Sequence, residues 1–424
     1  MIQIIDKSLC CGCSACVQRC PKQCITLHED HEGFLYPKVD TDTCIDCGLC
    51  EKVCPILNEG IPHLPLKVYA AINKDEKIRL ESSSGGIFTL LAEKTINEGG
   101  VVFGARFDEN WQVKLDYTES IEGIATFRGS KYVQARTGNT YKEAEDILKA
   151  GRKVLFTGTP CQIAGLKKFL RKDYDNLLAV DFVCHGVPSP KVWRKYLSEL
   201  LASKGEKNTV SFSSNQTNIS GLNASIEGIS FRDKTLGWKK FSFVLRKNLT
   251  KETADGEKNS VSFSDMHKGN IFMRAFLADM ISRPSCYKCH CKEGKSGADI
   301  TIADFWGIGN ISPEMDDDKG TSLIIIQTEK GKLYYPCGGS VNKERLLKDA
   351  EPFNPGLKSF CSPHLKRNKF FRMLDNVDFD TLTHKMLKKS IGVRVKLYFK
   401  YKWKKFLNKK NDHEDCVIKS SDRQ

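Results

Sequence analysis

Two runs decide how this chain begins to fold: CCGCSACVQRCP at residues 10–21 and CIDCGLCEKVCP at residues 44–55. In the first, Cys10, Cys13, Cys16 and Cys20 are separated by two, two and three residues, and Pro21 follows. Cys44, Cys47, Cys50 and Cys54 repeat the spacing, and Pro55 follows. Three thiolates at such short intervals each take one corner of a cubane, while the fourth, displaced and set before proline, is directed to the other cluster. The expected wiring is therefore crossed. One 4Fe-4S cluster takes Cys10, Cys13, Cys16 and Cys54, and its twin takes Cys44, Cys47, Cys50 and Cys20. Short strands are expected at Cys24 to Leu27 and Phe34 to Val39 around a turn at His28 to Gly33, the connection of a small two-cluster ferredoxin-like domain. Zinc also binds cysteines two residues apart, but it needs four ligands, not a duplicated four-cysteine run with proline after both fourth members. Cys11 and Cys24 fit no cluster corner and read as buried small hydrophobes.

The rest of the composition is that of an ordinary globular protein. Of 424 residues, 40% are hydrophobic and 28% charged, enough to bury a core in two or three domains. The net charge of +14 is concentrated in a tail, Lys385 to Lys410, that holds many basic residues and no acidic one. The body is only mildly basic, which excludes a general nucleic-acid binder. Ten of the 18 cysteines lie in the first 54 residues of a long chain with no secretory leader pattern and no run of 18 apolar residues. Such cysteine usage points to metal in a reducing, cytoplasmic setting, not to a disulfide scaffold. Ile56 to Leu66, with two prolines and no amphipathic period, reads as a linker.

Beyond the linker, apolar segments alternate with helical patterns. Strands are expected at Val68 to Ile72, Val101 to Phe107, Lys153 to Phe156 and Leu177 to Cys184. Helices are expected at Gly86 to Asn97, at Thr140 to Lys149 and after Pro160. This alternation argues for an α/β domain, and Gly228 to Arg232 with Lys239 to Leu245 adds an antiparallel portion, so the class is mixed α+β. The Ser-, Asn- and Gly-rich stretch Ser203 to Glu227 reads as an exposed insertion or hairpin, and the acidic run Glu314 to Asp318 as a solvated loop.

Several features of this body could carry chemistry. Ser82-Ser83-Ser84-Gly85-Gly86 precedes a helix, where bare amides receive a phosphate or where serine and glycine simply cap and turn. Gly129-Ser130-Lys131-Tyr132 offers a cation and an aromatic face, or a solvated lysine. Cys161 opens a helix after Thr159-Pro160, where the helix dipole favours a thiolate, and Cys184 ends the next strand. Strand ends of an open α/β sheet face the ligand crevice. Cys286 and Cys289 with those two make four thiolates, the number a third cluster requires, although Cys286, Cys289, His290 and Cys291 could hold zinc unaided.

Together these residues resemble the beta subunits of coenzyme F-420 hydrogenases and dehydrogenases. The likeness covers roughly residues 67–330, through SSSGG at 82–86, GSKYVQ at 129–134, GTPCQ at 158–162, DFVCHG at 181–186 and CYKCHCKEGKSGADITIADFWG at 286–307. The resemblance implies one FAD and a further 4Fe-4S cluster on Cys161, Cys184, Cys286 and Cys289, with Cys291 a departure from the minimal ligand set. It also implies that Ser84, Gly85, Gly86, Lys131 and Tyr132 lie around the flavin. The expected organisation is a ferredoxin-like domain at 1–60, the two parts of a flavin-binding reductase domain at 61–145 and 146–330, and a C-terminal extension at 331–424.

The implied function is an iron-sulfur flavoprotein oxidoreductase. Electrons would pass between an external carrier such as ferredoxin, the clusters and FAD, to or from a small hydride acceptor. His185 and Asp181 are the nearest candidates for proton delivery, with a structural role beside the cluster as the alternative. Relatives similar to this chain act on acceptors as different as F-420 and a chlorophyll derivative, and some look like accessory enzymes of surface-polysaccharide gene sets. The rival function is a non-catalytic electron-transfer subunit that docks a separate enzyme or an oligomeric partner. From Ile391 to Trp403 apolar and basic residues alternate, giving a cationic aromatic surface suited to peripheral membrane contact or to docking on the body.

Overall fold

The computed structural model describes residues 1–203, 226–252, 258–335 and 338–388. The basic tail from Ile391 and nearly all of the insertion expected at Ser203 to Glu227 lie outside them. At the N-terminus, β1 (Ile25–Glu29) and β2 (Leu35–Val39) form an antiparallel hairpin in the register Ile25 to Val39. Its turn is tight because the Asp30 carboxylate accepts from the amides of Glu32 (3.0 Å) and Phe34 (2.9 Å). Cysteine loops flank the hairpin.

The body is built on one eight-stranded sheet. In chain order its strands are β3 (Lys67–Asn73), β4 (Val101–Phe107), β5 (Val113–Thr118), β6 (Val154–Thr157), β7 (Leu177–Phe182), β11 (Ile300–Asp304), β12 (Ser322–Ile326) and β13 (Ser340–Arg345). Across the sheet the order is β13, β3, β12, β11, β7, β6, β4, β5. The four strands β4, β6, β7 and β11 are parallel, and antiparallel pairs close both edges. The parallel strands are apolar almost throughout because both faces are covered. Val101, Phe103, Val154, Phe156, Leu177 and Ala179 meet the helices Thr140–Lys149 and Pro160–Leu170. Val102, Leu155, Leu178 and Val180 face the helix Ile87–Asn97 on the other side. Burying one such side chain stabilises the fold by about 1.5–3 kcal/mol. The expected extension from residue 331 is not separate: β13 forms an edge of this sheet.

A second sheet is antiparallel, with β8 (Ile226–Asp233), β9 (Ser242–Glu252) and β10 (Lys258–Met266) in sequential order. Its inner residues Phe231 and Phe243 pack with Trp193, Tyr196, Phe272 and Phe379 in an aromatic core that also takes in Phe34 and Tyr36 of the N-terminal hairpin. The ferredoxin-like segment is thus part of the protein's core. Among the described residues no helix is long and apolar enough to cross a membrane.

Candidate functional site

The cysteine loops use left-handed backbone to turn inward. Gly12 (φ 72°), Ser14 (64°), Asp46 (47°) and Gly48 (69°) all lie in that region. Cys10, Cys13, Cys16 and Cys54 are gathered together: burial, then the neighbouring Cys10 and Cys54 sulfurs, pushes the Cys16 thiol up to about 12. The Cys54 thiol is raised by burial and by Cys10. Cys20, Cys44, Cys47 and Cys50 line one pocket with Cys24, whose sulfur is 3.4 Å from that of Cys20. The amides of Ile2 and Asp46 donate to the sulfurs of Cys50 (3.3 Å) and Cys44 (3.4 Å). Such N–H···S bonds stabilise sulfur-borne negative charge. Buried sulfurs crowded in this way are poor company for each other as thiolates unless iron supplies the positive charge, so the donor set fits a cluster.

The body's cysteines converge from three places. Thr159 and Gln162 form a capping box with Pro160 in the first turn, which sets Cys161 at the N-terminus of the helix Pro160–Leu170. Cys184 follows β7, and Cys286 and Cys289 follow the buried Arg283. Burial first, then Cys161, raises the Cys184 thiol to about 12, and burial with Cys184, Cys161 and Cys289 raises that of Cys286. The amide of Val187 donates to the Cys286 sulfur at 3.4 Å. Cys291 is buried beside Cys161 and Cys289, so five cysteines and not four meet here.

Cys11 makes a sixth. It is buried, the neighbouring Cys13 and burial raise its thiol, and it lies on the wall of the adjoining cavity with Cys161. The sequence read it as a buried small hydrophobe, and buried it is, but its place next to Cys10 gave no signal that it would line the cavity with Cys161.

That cavity, of about 680 Å³, opens at the C-terminal ends of β6, β7 and β11 and falls within the range of cofactor pockets. Cys161 and Cys184 form part of one wall, and Ser84, Gly86, Lys131 and Tyr132 part of another. The two motifs are tied together by Ser83, whose hydroxyl accepts from the Ser130 amide at 2.7 Å. Gly86 (φ 83°) caps the helix Ile87–Asn97, and the helix's first residues face the cavity, so unpaired amides are presented to an anion. Ser84 donates its hydroxyl to the Thr321 carbonyl (2.9 Å). Gly85 is not in the cavity wall. Its amide donates to the Ser322 hydroxyl at 2.9 Å, and a Cβ there would meet the Ala71 carbonyl at 2.4 Å, so glycine is needed for packing on the sheet.

Lys131 donates to the carbonyls of Thr126 (2.9 Å), Arg128 (3.0 Å) and Gly129 (3.3 Å), and burial lowers its ammonium to about 7. Tyr132 packs on Phe231 and Phe276. Arg232, also buried, grips Asp304 at 2.9 and 3.1 Å, reaches the Ser83 carbonyl at 3.1 Å and stacks on Phe241. Sequence reasoning missed it because it lies in the antiparallel portion, remote from every motif.

His185 lies on the cavity wall, with Nε2 2.7 Å from an Asp279 carboxylate oxygen. Asp181 is on the other side, at a cavity of about 380 Å³ that Cys184, Cys289 and Cys291 also line. It accepts from Ser296 (2.6 Å) and Thr301 (2.5 Å), and burial raises its carboxyl to about 6. The acidic run expected as a solvated loop is instead a set of anchors: Asp317 grips Arg79 at 2.6 and 2.8 Å, and Asp316 meets Lys239 at 2.6 Å.

Family models match three stretches. Residues 9–57 match a 4Fe-4S dicluster domain, residues 68–140 the N-terminal part of the beta subunit of coenzyme F420 hydrogenase/dehydrogenase, and residues 151–336 its C-terminal part. A component of the F(420)H(2) dehydrogenase of Methanosarcina mazei is 23% identical over 349 residues, which cover 78% of this chain and 83% of that protein. The coenzyme F420-dependent sulfite reductase of Methanocaldococcus jannaschii is 29% identical over 346 residues, which cover 78% of this chain and 46% of that protein, so the chain spans less than half of it. A chain of the F420-reducing [NiFe] hydrogenase complex from Methanosarcina barkeri aligns with a TM-score of 0.42 at 17% identity, over 76% of this chain and 91% of that one.

Proposed function

Since the chain belongs to the family of coenzyme F420 hydrogenase/dehydrogenase beta subunits, with a 4Fe-4S dicluster domain ahead of it, we propose that it is an iron-sulfur flavoprotein oxidoreductase. In this reading electrons pass between an external carrier such as ferredoxin and a small hydride acceptor. The acceptor is of deazaflavin type or another small molecule, in a setting such as surface-polysaccharide modification. The observation that carries it is a contiguity: Cys13 lies against Gly165 of the helix that Cys161 opens, and Cys11 and Cys161 are both part of the wall of the 680 Å³ cavity.

Each element then has a task. Cys47 is exposed beside the half-exposed Ile45, so the cluster of Cys20, Cys44, Cys47 and Cys50 meets an external carrier. Cys10, Cys13, Cys16 and Cys54 hold the inner cluster, and Cys161, Cys184, Cys286 and Cys289 the third. FAD would convert single electrons into a hydride. The amides at the start of the helix Ile87–Asn97 receive its phosphates, Lys131 adds positive charge, and Tyr132 supplies a flat wall. His185, oriented by Asp279, is placed to hold a proton at the cavity wall.

Anaerobic purification with iron, sulfide and flavin quantification tests this. About twelve iron and one FAD per chain are expected, falling to about eight iron in Cys161→Ala and Cys286→Ala, since each cubane holds four. About eight iron without flavin, unchanged in both variants, overturns it. A protein that bleaches and reoxidises yet makes no product with any hydride acceptor would be the non-catalytic adaptor instead.

A further inference from the structure

Arg283 has no exposed surface and no carboxylate partner among the described residues. Its guanidinium donates to the Cys10 carbonyl (2.8 Å), the Leu35 carbonyl (2.9 Å) and the Gln134 side-chain oxygen (3.0 Å), and it reaches the Cys10 sulfur at 3.6 Å. Tyr36 lies against its face at 4.3 Å. Two other buried arginines show the usual arrangement: Arg367 grips Glu32 and Arg232 grips Asp304. A buried guanidinium answered only by neutral oxygens is costly, unless an anion sits beside it. Of the two N–H groups left over from those oxygens, one on Nη2 points to the Cys10 sulfur.

We propose that Arg283 sets the reduction potential of the cluster held by Cys10, acting as a positioning residue through that thiolate. The inference rests on the iron-sulfur reading above. Reduction adds one negative charge to a cluster, and a fixed desolvated cation a few ångströms away favours the more negative state. Arg283 therefore holds this cluster's potential up, making it the easier one to reduce of the N-terminal pair. The position also serves transfer onward. The Arg283 carbonyl accepts from the Cys286 amide at 2.9 Å, and Gln134, its partner, donates to the Cys11 carbonyl at 3.2 Å and lines the large cavity. One residue thus joins the inner cluster's loop to the third cysteine set. Gly12 makes room for it: a Cβ at that position would meet the guanidinium at 2.8 Å.

The test is a redox titration of the full chain followed by electron paramagnetic resonance, with iron counted in every sample. In Arg283→Gln one cluster should become at least tenfold harder to reduce, a fall of about 59 mV for a one-electron couple. Arg283→Lys, which keeps the charge, should move it less. Gln134→Glu supplies the missing carboxylate while Arg283 stays in place, and should shift the same cluster in the same direction. Full iron with unmoved potentials in Arg283→Gln overturns the inference, as does a Lys variant that shifts as far as the Gln variant. Should Arg283→Gln fail to load iron, an unmoved potential in Gln134→Glu overturns it. A parent protein without N-terminal clusters overturns the inference together with the reading beneath it, so the two failures are told apart by the iron count.

Discussion

Gly165 lies directly against Cys13: a side-chain carbon added at Gly165 would sit 2.9 Å from the Cys13 sulfur and 3.0 Å from the Tyr141 hydroxyl. The helix that carries Cys161 at its start thus reaches the ferredoxin-like loop through a position only glycine can occupy. This contact is the seam between the N-terminal clusters and the body.

Gly165→Ala should therefore push the loop of Cys13 away from the helix. The expected cost is about 1–3 kcal/mol, typical of overpacking a closed interior. Chemical unfolding monitored alongside iron content checks it, and an unchanged midpoint with full iron would contradict the seam.

The hairpin is clamped to the C-terminal helices by Arg367, whose guanidinium meets both oxygens of Glu32 at 2.7 and 2.5 Å and donates to the Ser282 carbonyl at 2.9 Å. Both side chains are buried. Arg367→Met leaves Glu32 without its counter-charge and should cost about 3–5 kcal/mol, whereas replacing both partners with apolar residues should cost much less. A double-mutant cycle on unfolding free energy measures the difference.

Lys131 should make cofactor affinity depend on pH. Burial lowers its ammonium to about 7 in the free protein, so it is charged below that pH and largely neutral above it. An anion bound nearby raises that value, and linkage then requires binding to weaken as pH rises above 7 and to be flat below it. About tenfold weaker FAD binding is expected at pH 9 than at pH 6, about 1.4 kcal/mol. Flavin fluorescence titrations should show this slope in the parent and none in Lys131→Met.

The fifth cysteine of the body site invites a direct comparison. With Cys289 as ligand and Cys291 as packing, Cys291→Ser should keep about twelve iron and Cys289→Ser about eight, four fewer for one lost cubane. The reverse pattern would exchange their roles. Cys11→Ala, on the cavity wall that Cys161 also lines, should keep all the iron and slow electron passage from the N-terminal clusters to the cavity, which stopped-flow reduction reads.

Much of the architecture could be read along the chain. The strands expected at Val101 to Phe107 and Leu177 to Cys184 are β4 and, to within two residues, β7, because strands covered on both faces are largely apolar, interrupted here only by Gly104 and Arg106 in β4 and Asp181 in β7. The helix after Pro160 begins where Thr159, Pro160 and Gln162 together say it must. Expectation and structure part where a residue's neighbours come from far away. Gly85 belongs to the sheet and not to the cavity wall, since its neighbours are Ala71 and Ser322. The acidic run is held by Arg79 and Lys239, which nothing in its own composition reveals.

The sequence by itself determined the class of the N-terminal segment, because a spacing of two, two and three residues before proline, repeated within 55 residues, marks a 4Fe-4S dicluster domain. Tertiary structure alone decided how that segment is joined to the rest. Arg283 meets Cys10 across 273 positions of chain, and Gln134 meets the Cys11 carbonyl across 123. A buried arginine without a carboxylate looks, in sequence, like any solvated one. What distinguishes it is the loss of water around it, and only the packed chain removes that water.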